Sequence, residues 1–176
     1  MNITSVPLPG AYVIELEPIA DERGFFARTW CGHESKSHGL NPNVAQCSIS
    51  FNKRKGTLRG MHYQDEPYPE AKLIRCSSGA IYDVLLDLRR TSPSYCKWFA
   101  VELTATNRKM LYAPEGVAHG FQTLTDGAEV FYQISESYRP ECARGVRWDD
   151  SFFGIEWPNR DPIISKRDRT FPDFAP

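Results

Sequence analysis

Short stretches rich in β-branched and aromatic residues recur along almost the whole 176-residue chain, and Gly, Pro, Asn or Asp separates each stretch from the next. This pattern is typical of short strands joined by turns. The predicted strands are Ala11 to Leu16, Phe25 to Trp30, Val44 to Phe51, Thr57 to Tyr63, Leu73 to Cys76, Ala80 to Leu88, Trp98 to Leu103, Lys109 to Ala113, Ala118 to Leu124, Ala128 to Ser135 and Gly145 to Trp148. About eleven short strands in one chain predict an all-β sandwich or barrel.

Helical signals are weak, because no stretch longer than about ten residues carries apolar positions at the i, i+3, i+4, i+7 spacing. Only Gly32 to Gly39 is expected to form one or two helical turns. The segment from Trp157 to Pro176 holds four prolines and many charges, so by itself it predicts a loose terminus. The length suits a single domain over residues 1–176, since one core of that size buries about 70% of the unfolded surface.

Composition excludes several classes of function. The net charge is −1 and the Lys and Arg residues are scattered, so no nucleic-acid partner is expected. No apolar run approaches the roughly 20 residues of a membrane span, and the first residues lack the features of a signal peptide. The five cysteines form no Cys-x-x-Cys pair, which favours a reducing compartment. We therefore expect a cytoplasmic protein without a membrane partner.

Alternation in the stretch Ala80 to Leu88 places Asp83 and Asp87 on one face of the strand. This carboxylate pair could line the inside of a barrel, where it would serve a polar ligand or tether a histidine. A solvent-exposed outer face is the alternative, and the strand alone does not decide between the two.

The segment Thr57 to Gln64 carries an arginine and a histidine close together. Strict alternation places Arg59 and His62 on opposite faces, so both reach one cavity only if the strand is bulged, and Gly60 lies between them. For His62 alone, a packed or surface histidine remains the alternative to a catalytic one.

A second cluster, Pro114 to Phe121, places His119 after a Pro/Gly turn and resembles the second cupin motif, P-x-G-x-x-H. Metal-binding cupins add an H-x-H pair from an earlier strand, but the earlier segment here has Gln64 two residues after His62. Two imidazoles without a third ligand predict that the protein holds no catalytic metal. Acid and base catalysis is the chemistry that remains: an imidazole takes a proton near pH 7, and Tyr132 could donate one, a core tyrosine being the alternative.

The order and spacing of several motifs carry a resemblance that covers nearly the whole chain. These motifs are Asp21-x-Arg23-Gly24-x-Phe26, Leu58 to Gln64, Lys72-Leu73, Asp87-Leu88-Arg89, Pro114-x-Gly116-x-Ala118-His119-Gly120-Phe121, Glu129-x-x-Tyr132, Trp148-x-Asp150, Trp157-Pro158 and Ser165-x-x-Asp168. Together they resemble the dTDP-4-dehydrorhamnose 3,5-epimerases, which are metal-free cupins of deoxysugar biosynthesis.

The resemblance implies a cupin-type jelly-roll β-barrel with short helical turns, assembled as a homodimer without a cofactor. It also implies inversion at C3, C5 or both of a nucleotide-linked 4-keto-6-deoxyhexose. By position, His62 would be the general base, Tyr132 the general acid, Lys72 the partner of the enolate, and Asp168 the group that orients His62. The implied contacts to the nucleotide-diphosphate sugar are Arg23, Phe26, Gln46, Ser48, Arg59, His119, Tyr138 and Arg167.

The chain departs from the usual pattern of the family at Arg28, Ser48, Ala143 and Arg167, where Glu, Asn, Glu and Lys are expected. The residues of proton transfer are thus intact, whereas part of the substrate-contact set is not. Two other functions stay open at this point: a related keto-isomerase that moves the carbonyl, and a catalytically silent cupin that binds sugar nucleotides.

Overall fold

The structure, a computed structural model, describes residues 1–175. Its regular secondary structure is almost all β-strand. The strands are β1 Asn2–Ser5, β2 Tyr12–Glu15, β3 Ile19–Asp21, β4 Gly24–Phe26, β5 Gln46–Asn52, β6 Thr57–Gln64, β7 Lys72–Ser78, β8 Ala80–Asp87, β9 Trp98–Thr104, β10 Met110–Ala113, β11 Val117–Thr123, β12 Ala128–Ile134, β13 Ala143–Gly145 and β14 Ile163–Ile164. The helices are α1 Gly32–Ser37 and α2 Lys166–Arg169. The all-β prediction is confirmed, and α1 lies where helical turns were predicted.

Two large sheets face each other. The first has the strand order β1-β2-β10-β7-β12-β5, and the second has the order β13-β6-β11-β8-β9 with β14 added beside β6. Side chains from both sheets form one core, in which Ile74 and Val130 of the first sheet pack with Leu85 and Phe121 of the second. Each of these four side chains is at most 1% exposed. The architecture is therefore a closed sandwich of mainly antiparallel sheets.

Two predicted strands differ from the structure. The stretch Phe25 to Trp30 is wrong as a strand, because β4 ends at Phe26 and pairs only with β3 in a small two-stranded hairpin. The stretch Gly145 to Trp148 is also displaced. Strand β13 ends at Gly145, and the chain turns beyond Val146, whose N–H donates to the Met61 carbonyl at 3.1 Å. Edge strands this short carry too few residues to show alternation in the sequence.

The segment after Trp157 is not a loose terminus. Ile163–Ile164 pairs in parallel with Thr57 and Leu58 of β6, and the Ser165 hydroxyl caps α2 by accepting the Asp168 N–H at 3.1 Å. Contacts with the second sheet hold this segment in place. These contacts involve residues far away in the sequence, so the composition of the segment alone does not reveal them. The prediction of a loose terminus is therefore wrong for the part of the segment that the structure describes.

Both aspartates of β8 are fully buried, so the interpretation as a solvent-exposed face does not hold. Asp87 accepts hydrogen bonds from Arg89, Ser92 and Ser94. Burial alone would raise the pKa of Asp87, but these hydrogen bonds outweigh it and lower the pKa to about 2. This carboxylate is therefore a structural anchor of the loop that follows β8, whereas Asp83 faces a histidine.

No helix within residues 1–175 combines the length and the apolar character needed to cross a membrane.

Candidate functional site

A cavity of about 850 Å³ lies between the two sheets, and its walls come from both sheets and from the segment after Trp157. Eight of the twelve residues predicted for the site line it: Ser48, Arg59, His62, Lys72, His119, Tyr132, Arg167 and Asp168. Side chains that are far apart in the sequence thus meet in one place.

A bulge in β6 lets Arg59 and His62 enter the same cavity. His62 lies opposite His119 and Arg59 lies opposite Phe121, so the register between the two strands shifts across this interval. A Cβ atom at Gly60 would lie 2.5 Å from the Cα atom of Gly120, so only glycine fits the close approach of the two backbones. The condition under which Arg59 and His62 could share a cavity, a bulge in the strand near Gly60, is thus met.

His62 is held by a carboxylate behind its ring. Its Nε2 lies 2.7 Å from Oδ1 of Asp168, which is 5% exposed, and the Gly60 N–H also donates to this carboxylate. Burial alone would raise the pKa of Asp168, but the hydrogen bond and charge of His62 outweigh it and lower the pKa. An ionised carboxylate is only an acceptor, so Nε2 carries the proton and Nδ1 carries the lone pair of the neutral ring. The carboxylate thereby fixes the orientation of the His62 ring.

Tyr132 lies on β12 in the first sheet, whereas His62 lies on β6 in the second. Burial raises the pKa of the Tyr132 phenol and the nearby Asp83 carboxylate adds to this, while Arg59 works in the opposite direction. The hydroxyl therefore stays protonated throughout the neutral range. The imidazole of His62 and the phenol of Tyr132 line the same cavity from different sheets.

Lys72 begins β7 and is 9% exposed. Its Nζ donates to the backbone carbonyl of His62 at 3.2 Å and forms an ion pair with Glu70 at 2.9 Å. The ammonium group is thereby fixed beside the candidate base. Sequence reasoning did not single out Glu70.

A second imidazole–carboxylate pair faces the cavity. Nε2 of His119 lies 2.6 Å from Oδ1 of Asp83, and the ring of His119 packs edge-on against Tyr132 at a centroid distance of 5.9 Å. Burial raises the pKa of Asp83, although the His119 charge opposes this. Of the two uses considered for the β8 carboxylates inside the barrel, Asp83 tethers a histidine. Alternation along β8 indicated that Asp83 could point into the barrel. The sequence did not indicate that His119 is the partner of Asp83.

Two arginines supply positive charge to the cavity. Nε of Arg59 donates to the neutral side-chain oxygen of Asn52 at 2.8 Å. Arg167 lies over the ring of Phe171, 6.0 Å from its centroid. Neither arginine is in an ion pair with any carboxylate of residues 1–175. Their charge remains available to an anionic group.

Four predicted contacts lie outside the residues that line the cavity. Arg23 is paired with Asp21 on the β3–β4 hairpin, and Phe26 of the same hairpin is 73% exposed. Gln46 accepts the backbone N–H of Tyr138 at 2.9 Å, at the end of β5 beyond Ser48. Within a single chain, these four side chains are not assembled with the rest.

The segment after Trp157 also contributes cavity residues that sequence reasoning missed. Ile163, Ile164 and Ser165 line the wall near Asp168. The apolar pair Ile163-Ile164 inside an otherwise polar segment was the one signal that could have revealed this.

The donors for a metal ion are dispersed. Each histidine of the cavity has its Nε2 occupied by a carboxylate, and within residues 1–175 no group of three or more His, Cys, Asp or Glu side chains is placed to hold a metal ion.

Several known proteins are similar to this chain in sequence and in fold. The sequence profile of the dTDP-4-dehydrorhamnose 3,5-epimerase family matches residues 5–176. A dTDP-4-dehydrorhamnose 3,5-epimerase of Methanothermobacter thermautotrophicus is 42% identical, over 93% of this chain and 89% of the relative.

Solved structures agree with this. A dTDP-4-dehydrorhamnose 3,5-epimerase of Elizabethkingia anophelis superposes with a TM-score of 0.95 at 34% identity, covering 99% of this chain and 96% of the other. The epimerase of Bacillus anthracis, solved with TDP and PPi bound, gives a TM-score of 0.94 at 35% identity, covering 98% of this chain and 99% of the other. The cupin-type jelly roll implied by the sequence motifs is confirmed, and the chain belongs to the dTDP-4-dehydrorhamnose 3,5-epimerase family.

Proposed function

We propose that the chain inverts C3, C5 or both in a nucleotide-linked 4-keto-6-deoxyhexose, as an isomerase of dTDP-rhamnose-like deoxysugar biosynthesis. The observation that carries this proposal is the placement of His62 and Tyr132 on opposite sheets across one cavity. Inversion requires a proton to leave one face of a carbon and another to arrive on the opposite face. A base and an acid on opposite walls meet that requirement.

The carbonyl at C4 makes both neighbouring carbons acidic, because the electrons of a broken C–H bond pass into an enolate. Nδ1 of His62 takes the proton and the resulting imidazolium is stabilised by Asp168. The Lys72 ammonium meets the negative enolate oxygen, and one well-placed donor to such an oxyanion contributes about 3 to 4 kcal/mol. Tyr132 then delivers a proton to the other face of the same carbon. Afterwards the imidazolium loses its proton to solvent and the phenolate gains one from solvent, which restores both groups.

The anionic part of the substrate is assigned to Arg59 and Arg167. A guanidinium binds phosphate through paired charge-assisted hydrogen bonds, and both groups lack a carboxylate partner within the described residues. The TDP bound in the Bacillus anthracis protein supports a thymidine diphosphate as this anion. His119 and Ser48 complete the contacts to the sugar nucleotide from the cavity walls.

The departures from the family pattern are at positions where the resemblance implies contacts to the substrate. Ser48 and Arg167 line the cavity, whereas Arg28 and Ala143 do not. Arg28 is paired with Glu34 at 3.0 Å, and Ala143 lies on β13 opposite Gln64. Their effect is expected in the preference for one sugar nucleotide over another, and not in proton transfer. Kinetics on a panel of substrates would measure this preference.

The test is NMR of a panel of 4-keto-6-deoxy sugar nucleotides incubated with the protein. Inversion at C3, C5 or both is expected for at least one of them. A product with a displaced carbonyl would instead support a keto-isomerase. Tight binding without any conversion would support a catalytically silent binding protein.

Asp168→Asn is expected to lower kcat about tenfold or more, with KM changed less than about threefold, because the lost charge supports the imidazolium formed during reaction. Steady-state kinetics measures both constants. Asp161→Asn is the matched control, since Asp161 is an exposed aspartate of the same segment. Unchanged kcat in Asp168→Asn would remove the dyad from the mechanism.

We also propose that activity is independent of metal, because acid, base and oxyanion partner are all supplied by side chains. Dialysis against EDTA is expected to leave turnover unchanged. Loss of activity that a divalent ion restores would contradict this expectation.

A homodimer is proposed from exposed apolar side chains along two edges. Ile19 and Phe26 of the β3–β4 hairpin are each 73% exposed, and Ile49 and Phe51 of the edge strand β5 are 62% and 56% exposed. Pairing two copies would cover these surfaces and could bring Arg23 and Phe26 of one protomer to the cavity of its partner. Light scattering should give twice the 20.1 kDa mass of the chain, and the mass of a monomer would exclude the dimer.

Residues 1–176 are proposed to act as a single epimerase domain.

The cytoplasm is the proposed compartment, on the basis of the odd number of cysteines in the sequence.

A further inference from the structure

Glu70 lies two residues before the first residue of β7 and has no assigned role in the reaction. Its carboxylate lies 2.9 Å from Nζ of Lys72, and the two side chains are 10% and 11% exposed. A second contact to the same ammonium comes from the backbone carbonyl of His62 at 3.2 Å. The Lys72 head group is therefore held from two sides in a nearly dry environment.

This pairing distinguishes Lys72 from the two arginines of the cavity. Arg59 and Arg167 form no ion pair with residues 1–175, which suits groups that bind a mobile anion. Lys72 instead has a fixed counter-charge. Burying two charges is costly, and removing one partner of a buried pair is more disruptive than replacing both. A buried pair of this kind is therefore expected where the protein must hold the cation in one position.

We propose that Glu70 is a positioning residue that fixes the Lys72 ammonium so that its remaining N–H points at the enolate oxygen. An ammonium has three N–H groups, and Glu70 and His62 engage two of them. The third is left for the cavity that Lys72 lines. A donor that is already aimed at the developing oxyanion needs no rearrangement during the reaction. This inference rests on the proposed function, in which Lys72 stabilises the enolate.

Four variants test the inference by steady-state kinetics: Glu70→Ala, Glu70→Gln, Lys72→Ala and the double variant. Glu70→Ala is expected to lower kcat about tenfold, with KM within about twofold. The Lys72 ammonium stabilises the enolate that forms during the reaction and not the bound ketone, so its misplacement affects kcat more than KM. Glu70→Gln removes the counter-charge but keeps an oxygen acceptor at the same place, so its kcat should lie between those of Glu70→Ala and the wild type, within about threefold of the wild type. In the Lys72→Ala background, Glu70→Ala should have no further effect on kcat.

Glu102→Ala is the matched control, because Glu102 is an exposed strand glutamate without an ion pair in the described part of the chain. Its kcat should equal that of the wild type. Thermal melts of all variants separate loss of folding from loss of placement, since Glu70→Gln reports on placement even if Glu70→Ala unfolds.

A second measurement does not depend on turnover. In NMR spectra of lysine-labelled protein, assigned with Lys72→Ala, the two Hε protons of Lys72 should be resolved in the wild type and merge in Glu70→Ala. If the wild type showed no conversion of any sugar nucleotide, the proposed function would fail while this spectrum still reported on the placement of Lys72.

The inference would be overturned by wild-type kcat in Glu70→Ala, by an undiminished effect of Glu70→Ala in the Lys72→Ala background, or by Hε signals that do not change. An effect of Glu70→Gln as large as that of Glu70→Ala would also overturn it, since charge rather than placement would then be responsible.

Discussion

Replacing His62 with asparagine is expected to slow inversion and solvent exchange together. The asparagine side chain cannot take a proton, so the enolate forms only at the rate possible without the positioned base. Positioned proton transfer contributes about 10²- to 10⁴-fold to a rate, and kcat should fall by that order. NMR in D₂O follows both events in one sample, through the loss of C–H signals and the appearance of the inverted product.

His33→Asn is the matched control for this variant. His33 is exposed on α1 and does not line the cavity, so its replacement should leave kcat unchanged. Exchange at the wild-type rate in His62→Asn would show that another group is the base, and would leave the pairing of His62 with Asp168 as a structural contact.

Replacing Tyr132 with phenylalanine is expected to separate the two events. His62 still removes a proton and the enolate still forms, but no donor remains on the opposite wall. The proton then returns from His62 to the face that it left, so deuterium enters the sugar while configuration is retained. Inversion should fall about 10²-fold or more, with exchange continuing.

Tyr82→Phe controls for the loss of a hydroxyl from a strand. Tyr82 lies on β8, packs edge-on against Trp157 and makes no side-chain hydrogen bond within residues 1–175. Inversion at the wild-type rate in Tyr132→Phe would return Tyr132 to the role of a core residue. If both exchange and inversion disappear, a thermal melt decides whether the barrel has unfolded.

The strands with clear alternation were predictable from the sequence, since their burial on one or both faces leaves a pattern in the residues. For β6 the sequence supplied only a condition: Arg59 and His62 could share a cavity if the alternation broke between them, and the bulge in the structure meets it. Short edge strands such as β13 and β14 carry no such pattern. They exist because a neighbouring strand offers them hydrogen bonds.

The composition of the site depended on contacts between distant parts of the chain. Asp168 and His62 are 106 residues apart, and only the resemblance to a family linked them. Local pattern alone placed Asp168 in a loose terminus. The Glu70 contact to Lys72 was also hidden, because the residue precedes its strand and no pattern assigns its side chain a direction. Arg23 and Phe26 belong to the predicted site, but within one chain they lie outside the cavity. In the proposed dimer, these two residues would reach the cavity of the partner protomer.

The measurement that tests the central claim most directly is the isotope content of the product formed by the wild-type protein in D₂O. In the proposed mechanism His62 removes one proton, and Tyr132, whose hydroxyl exchanges with solvent, supplies another. We therefore expect one deuterium at each inverted carbon. Carbons that keep their configuration and do not neighbour the ketone should carry no deuterium. Inverted product that retains the original hydrogen at the inverted carbon would contradict transfer between two separate groups on opposite walls of the cavity.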